Sequence, residues 1–141
     1  MQICKINVEK LSLSLVEEKK MPQIFSHVRG STCGFNYYKN IAENNNGNIS
    51  INIMEHEIWF VGHIVSYESP RHYYHIISVF DANMNLIRYS APFKFEGEPI
   101  EYCLSIVVED ERVLMNYSTW DRTTRIGIYD KKYIDSIVKY S

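Results

Sequence analysis

The sequence predicts a mainly β chain of short antiparallel strands, closed by one short C-terminal helix. Three observations carry this. Aromatic residues make up 13% of the 141 residues, and 11 of them are Tyr. Such side chains, with the many Ile, suit a pleated, half-buried surface. Apolar and polar residues alternate with period two over several stretches. Short clusters of turn-forming residues separate those stretches at short intervals.

The totals narrow the function classes. A length of 141 residues fits one domain, 1–141, able to bury a core without disulfide or metal staples. Hydrophobic residues at 45% and charged residues at 23% are ordinary for a globular domain. Net charge is −2, the pI is about 6.2, and Lys and Arg are scattered. Phosphate backbones need clustered positive charge, so nucleic acid is excluded as the expected partner. Cys4, Cys33 and Cys103 are odd in number and lack CxxC spacing. They are expected as buried, reduced thiols rather than disulfides or zinc ligands. Residues 1–15 lack a continuous apolar stretch, and no run approaches the ~20 apolar residues of a membrane span. The expectation is a soluble cytoplasmic protein with no cofactor and no membrane partner.

Along the chain, residues 2–8 and 11–16 read as strands, the second with Leu11, Leu13 and Leu15 on one face. Pro22 follows the charged run Glu17–Lys20 and prevents immediate resumption. Residues 26–38 hold a Gly-containing stretch, and Asn44–Asn48 is the clearest loop. The N-terminal unit is therefore 1–48.

Residues 49–90 form the next unit. Strands are expected at 49–54, 58–66, 72–80 and 86–90, with turns at Glu55-His56-Glu57, Glu68-Ser69-Pro70 and Asp81–Asn85. Residues 58–66 are nearly all apolar, so both their faces should be buried, with Trp59 in the core. Four antiparallel strands on short connections make one propeller blade. Residues 100–141 repeat the pattern with strands at 101–109, 113–118 and 124–129. Tyr133, Ile134, Ile137 and Val138 then mark one short amphipathic helix. The expected fold is a partial β-propeller of about two antiparallel four-stranded blades plus that helix. The N-terminal strand would supply the missing strand of the second blade. No fixed-period motif points to a WD40 or kelch array.

Candidate chemistry sits at few positions. A symmetric hairpin through Tyr67–Arg71 places His63 opposite His75. Two imidazoles on one face either hold a phosphate or are hydrogen-bonded core residues. Nothing local supplies the third ligand a metal needs. Arg29-Gly30-Ser31 either offers a guanidinium and backbone N–H groups to an anion or is a tight connection. Asp121 lies in the turn Thr119–Arg122, where Asp is common for local reasons. Beside it, Trp120 and Tyr117 could present faces to a sugar. Glu101 opens a strand and points either into the fold or to solvent. No nucleophile elbow, phosphate loop or dinucleotide fingerprint is present.

Four passages carry a family resemblance: Arg29–Thr32; Trp59–His63 with Pro70–His75 and the strand ending at Asp81; Ser90–Phe95 with Ile100–Cys103; and Leu114–Asp121. From about Arg29 onward the chain resembles the C-terminal half of the five-bladed propellers of the mannoside phosphorylases and related glycosidases (glycoside hydrolase family 130). It is similar also to propeller-like domains near bacterial and giant-virus glycosyltransferases, which would put a viral protein in the host cytoplasm. The resemblance implies ligand-binding roles for His63, Tyr117 and Asp121, then Glu101. Ser118 and the pair Leu104-Ser105 stand where the family carries Gly, and the blades that carry the catalytic acid have no counterpart. Together these imply a glycan-associated module that binds a sugar, a sugar phosphate or phosphate at His63, His75, Glu101, Tyr117, Asp121 and Arg29. It would be catalytically incomplete alone. The alternatives are a glycosidase or phosphorylase completed by self-association or a partner chain, and a structural β-domain without ligand.

Overall fold

The computed structural model describes residues 1–42 and 52–141. The Asn44–Asn48 loop and the start of the predicted strand 49–54 lie outside them. The described residues form a two-stranded hairpin, a five-stranded antiparallel sheet, a three-stranded antiparallel sheet and one short α-helix. In order the elements are β1 (Gln2–Asn7), β2 (Ser12–Glu18), a 3-10 turn (Gln23–His27), β3 (Val28–Ser31), β4 (Phe35–Ala42), β5 (Asn52–Ser66) and β6 (His72–Asp81). Then follow β7 (Leu86–Tyr89), β8 (Glu101–Val108), β9 (Arg112–Thr119), β10 (Thr123–Asp130) and α1 (Lys131–Ile137).

In the larger sheet, β6 pairs with one edge of β5, while β4 and β3 pair with successive halves of the other edge. Two sequence expectations change here. Residues 26–38 contribute two strands. Glu55-His56-Glu57 is not a turn but the middle of β5. Glu55 is exposed, and His56 and Glu57 stay in the strand because each finds a partner. The His56 ring stacks on Tyr38 at 4.6 Å and bonds to Asn36 Oδ1 at 2.9 Å. Glu57 accepts the Trp59 Nε1–H at 2.8 Å. The turn from β6 to β7 is fixed by Asp81, whose carboxylate accepts the backbone N–H groups of Asn83 and Asn85 and the Asn85 side-chain amide.

The smaller sheet is a plain meander, β8-β9-β10. In β9 the alternation is complete: Val113, Met115, Tyr117 and Thr119 face inward. Val113 and Met115 share a core with Trp59, Val61, Ile77 and Val79 from the larger sheet, and with Ile134 of α1 and Val138 just after it. Each such buried apolar side chain contributes about 1.5–3 kcal/mol relative to exposure. Trp59 is fully buried, as the sequence predicts. It is β6, not the 58–66 stretch, that is buried on both faces, since Phe60 and residues 63–66 are half-exposed.

At one end of the inter-sheet seam, ionic groups join the helix to the larger sheet. Arg88 bonds to Glu57 at 3.2 Å and to Asp135 at 2.9 Å, and Lys131 bonds to Asp135 at 2.7 Å. Burial pulls the Asp135 carboxyl upward, but bonds from Lys131 and Arg88 outweigh it and hold the group below the usual carboxylate range. The Asp130 side chain caps α1 by accepting from Lys132 N at 2.7 Å. Tyr133, predicted on the apolar face of the helix, is exposed instead.

Three further expectations are corrected. The N-terminal strand does not complete the second sheet: β1 pairs with β2. It is the C-terminal Tyr140 that returns, exchanging two backbone bonds with Tyr89 on β7. The hairpin has no buried face, because Ile6, Leu13 and Leu15 are all more than half exposed and Leu11 sits in its turn at φ 48°. Of the three thiols, which are all free, only Cys103 is buried; Cys4 and Cys33 are exposed.

The hairpin joining β9 and β10 turns at Trp120 and Asp121, both with φ above +50°. Thr119 O accepts Arg122 N–H at 3.1 Å, giving a type I′ turn without its usual Gly. Asp121→Gly should therefore raise unfolding stability by about 0.5 kcal/mol, the relief at positive φ being partly offset by unfolded-state entropy. Urea unfolding of the variant measures this, and a net loss would show that the Asp121 side chain stabilises the turn.

Candidate functional site

The far end of the seam carries the histidines. The β5–β6 register sets His63 directly opposite His75, as the sequence predicts. Residues opposite each other in an antiparallel pair share a face, here the face that looks toward the smaller sheet. Their environments differ. His75 is completely buried, against Phe95 at 4.7 Å and Phe93 at 5.9 Å between ring centroids. Among the described residues, neither of its ring nitrogens has a hydrogen-bond partner. Burial, and then the nearby His63, lower its pKa to about 4, so the ring is neutral near pH 7.

His63 is half-buried, and burial lowers its pKa as well. Its ring lies 5.1 Å from that of Tyr102 and 5.9 Å from that of Tyr73. Both tyrosines are half-exposed. On its other side stands Gly30, paired with it across the β3–β5 ladder. A Cβ there would come within 2.9 Å of His63 Cε1, so only glycine leaves the ring its place. His63, Tyr73 and Tyr102 thus form an aromatic rim at the open end of the seam.

The connection between β7 and β8 supplies the wall behind this rim. Phe93 exchanges two backbone bonds with His75, and Tyr73 N–H donates to Pro99 O at 2.8 Å. Glu101 organises the rest. Its side chain is fully buried and accepts three backbone N–H groups: Phe95 at 2.7 Å, Glu96 at 2.8 Å and Glu98 at 2.9 Å. Both carboxylate oxygens are therefore occupied by the loop. Tyr117 stacks on Phe95 at 4.2 Å and donates to Glu96 Oε1 at 2.8 Å. Burial, then that bond, push its pKa up to about 12. Arg125 pairs with Glu96 at 2.8 Å.

The predicted residues fall into three groups. His63, His75, Glu101 and Tyr117 are brought together around the loop 93–98. Only His63 among them is open to solvent to any extent. Asp121 is exposed in its turn; its neighbour Trp120 donates to Glu98 Oε2 at 2.8 Å. Arg29 is exposed on β3, at a register shift between Val28 and Gly30. Sequence reasoning missed Tyr73 and Tyr102. Their signal was available: Tyr73 sits two residues before His75 on the same strand face, and Tyr102 follows Glu101.

Among the described residues, no group of three His, Cys, Asp or Glu is placed to hold a metal ion. No helix among them is long and apolar enough to cross a membrane. A separate cavity lies on the opposite face of β5 and β6, and none of the predicted residues lines it.

Comparison with known proteins gives no family. No protein-family model matches the chain, nor does any curated protein or solved structure.

Proposed function

We propose that the chain is a glycan-binding module, a two-sheet piece of a propeller-type fold, that holds a sugar on the rim of His63, Tyr73 and Tyr102. One observation carries this reading: three half-exposed rings converge at the open end of the seam. Aromatic faces offer apolar area to the C–H face of a pyranose, and their polar edges meet its hydroxyls. A neutral imidazole offers one donor and one acceptor, which suits a hydroxyl and gives no charge to a phosphate. The rim therefore favours sugar hydroxyls over a phosphate group.

The acids support binding rather than turnover. Glycoside hydrolysis needs two carboxyl groups facing each other across a pocket. Here Glu101 is committed to three backbone donors, and Asp121 sits in an exposed turn. A second reading, completion by another copy of the chain, draws on one feature. The outward face of the smaller sheet exposes Val107, Ile126 and Ile128, with Leu104 beside them. A neighbouring blade would cover such a face.

Isothermal titration with a panel of mannosides and a sugar phosphate tests the first reading. Saturable binding is expected for a neutral sugar, weakened at least about tenfold by Tyr102→Ala, a loss of roughly 1.4 kcal/mol. Tyr102→Phe, which keeps the ring, should lose less. A folded protein that binds no sugar overturns the proposal. Light scattering on the same samples decides the second reading, since a monomer at all concentrations removes it.

A further inference from the structure

The cavity on the opposite face of β5 and β6 has a volume of about 520 Å³. Well-packed interiors hold few voids larger than a water molecule, and ligand pockets run from about 300 to 1,000 Å³. It is an open cavity walled by more than one element. Phe60, Ile76 and Phe80 of the larger sheet form its base, where Phe60 and Phe80 meet edge to face at 5.6 Å. The segment 21–27 crosses above them, from the β3 edge to Tyr89 on β7, whose ring Phe25 meets at 5.3 Å. Met84, in the turn after β6, and Met1 complete the wall.

Its chemistry is one-sided. Among the described residues no charged side chain lines it, and the polar lining comes from Ser26, Ser31, Ser78 and Gln23. The Met1 ammonium donates one of its three N–H bonds to Lys19 O at 2.7 Å. Three of the chain's five methionines line this one cavity. Thioether side chains are flexible and polarisable, and they adapt to varied apolar shapes.

We propose that this cavity binds an uncharged amphiphile, with a hydrocarbon chain or ring against Phe60, Phe80 and the methionines, and a hydroxyl or amide head at the serines. This site is distinct from the aromatic rim, because Gly62 and Phe60 lie on the face of β5 opposite to His63. Sugar binding can fail while this proposal stands, and the reverse holds.

The test is a fluorescence titration of the full chain with N-phenyl-1-naphthylamine, a neutral apolar dye. Saturable enhancement is expected at about one dye per chain, with displacement by decanol. Decanoate should displace at least about tenfold less well, because burying its carboxylate is costly and the one cation at the wall, the Met1 ammonium, already donates to Lys19 O. Displacement as strong as that by decanol overturns the uncharged head group. Ser78→Phe, which fills the cavity, and Met84→Glu, which puts a charge in its wall from a turn, should each weaken the dye at least about tenfold. Leu13→Ser, on the exposed hairpin, should leave it unchanged. Circular dichroism confirms that each variant is folded. Binding that does not saturate, or that survives both cavity variants and falls with Leu13→Ser, overturns the proposal in favour of dye adhering to the hairpin.

Discussion

Glu101→Ala should lower the unfolding free energy by more than about 3 kcal/mol. The reason is the number of groups that lose a partner. The fully buried carboxylate accepts the N–H groups of Phe95, Glu96 and Glu98. An orphaned buried donor costs about 1–3 kcal/mol, and bonds to a charged acceptor lie at the strong end. Three such losses are a large part of the 5–15 kcal/mol that holds a typical domain together. Glu101→Gln separates charge from geometry. It keeps one acceptor oxygen but turns an amide NH₂ toward one or two backbone donors, so it should fall between Ala and the native chain. The damage should be local before it is global. The loop carries Phe93 and Phe95 against His75, and Phe95 against Tyr117. Hydrogen exchange should therefore quicken first at the amides of 95, 96 and 98. Urea unfolding gives the global cost, and a change below about 0.5 kcal/mol for Glu101→Ala would sink this account.

The same residue shows where sequence reading reaches its limit. Glu101 stands out at the start of a strand, but inward and outward orientations are equally legible there. Which one holds is decided by a loop five residues earlier wrapping back onto the carboxylate. Where the chain follows local rules, it is readable. β6 to β10 fall where the sequence places strands between turn residues, and the symmetric turn at Tyr67–Arg71 is enough to place His63 opposite His75. Where a tertiary partner overrides local preference, it is not. Glu55-His56-Glu57 has turn-like polarity, yet β5 runs through it because Tyr38, Asn36, Trp59 and Arg88 satisfy His56 and Glu57. Gly30 and Gly34 read as breaks, yet Gly30 lies within β3 and Gly34 just before β4, where close approach to His63 and Phe60 needs a missing side chain. The aromatic rim was hidden for the same reason, since Tyr102 reaches His63 only after the two sheets meet.

Acid should destabilise the fold through His75, with a sign that can be worked out. Its folded pKa is about 4, against an ordinary 6.5. Above pH 6.5 the imidazole is neutral in both states and its contribution is intact. Between pH 6.5 and 4 the unfolded chain takes up a proton that the folded chain refuses, so stability falls as pH falls. Below pH 4 both states are protonated and the loss levels off. A gap of about 2.5 units corresponds to roughly 3 kcal/mol across that window. His63, shifted the same way, adds to it. Carboxylates titrate nearby, so the informative quantity is the difference between the native chain and His75→Phe. The phenyl ring keeps the packing against Phe93 and Phe95 and removes two buried nitrogens without partners. At pH 7 the variant should be more stable by about 1 kcal/mol, because an unpaired buried polar group is costly and replacing it with an apolar ring is not. At pH 4.5 the advantage should grow by roughly 2 kcal/mol as the native histidine's proton deficit develops. Urea midpoints at the two pH values give both numbers. If His75→Phe is less stable at pH 7 and its acid limb runs parallel to the native one, then the buried imidazole is held by favourable interactions. The seam would then depend on a polar group at its centre rather than tolerate one.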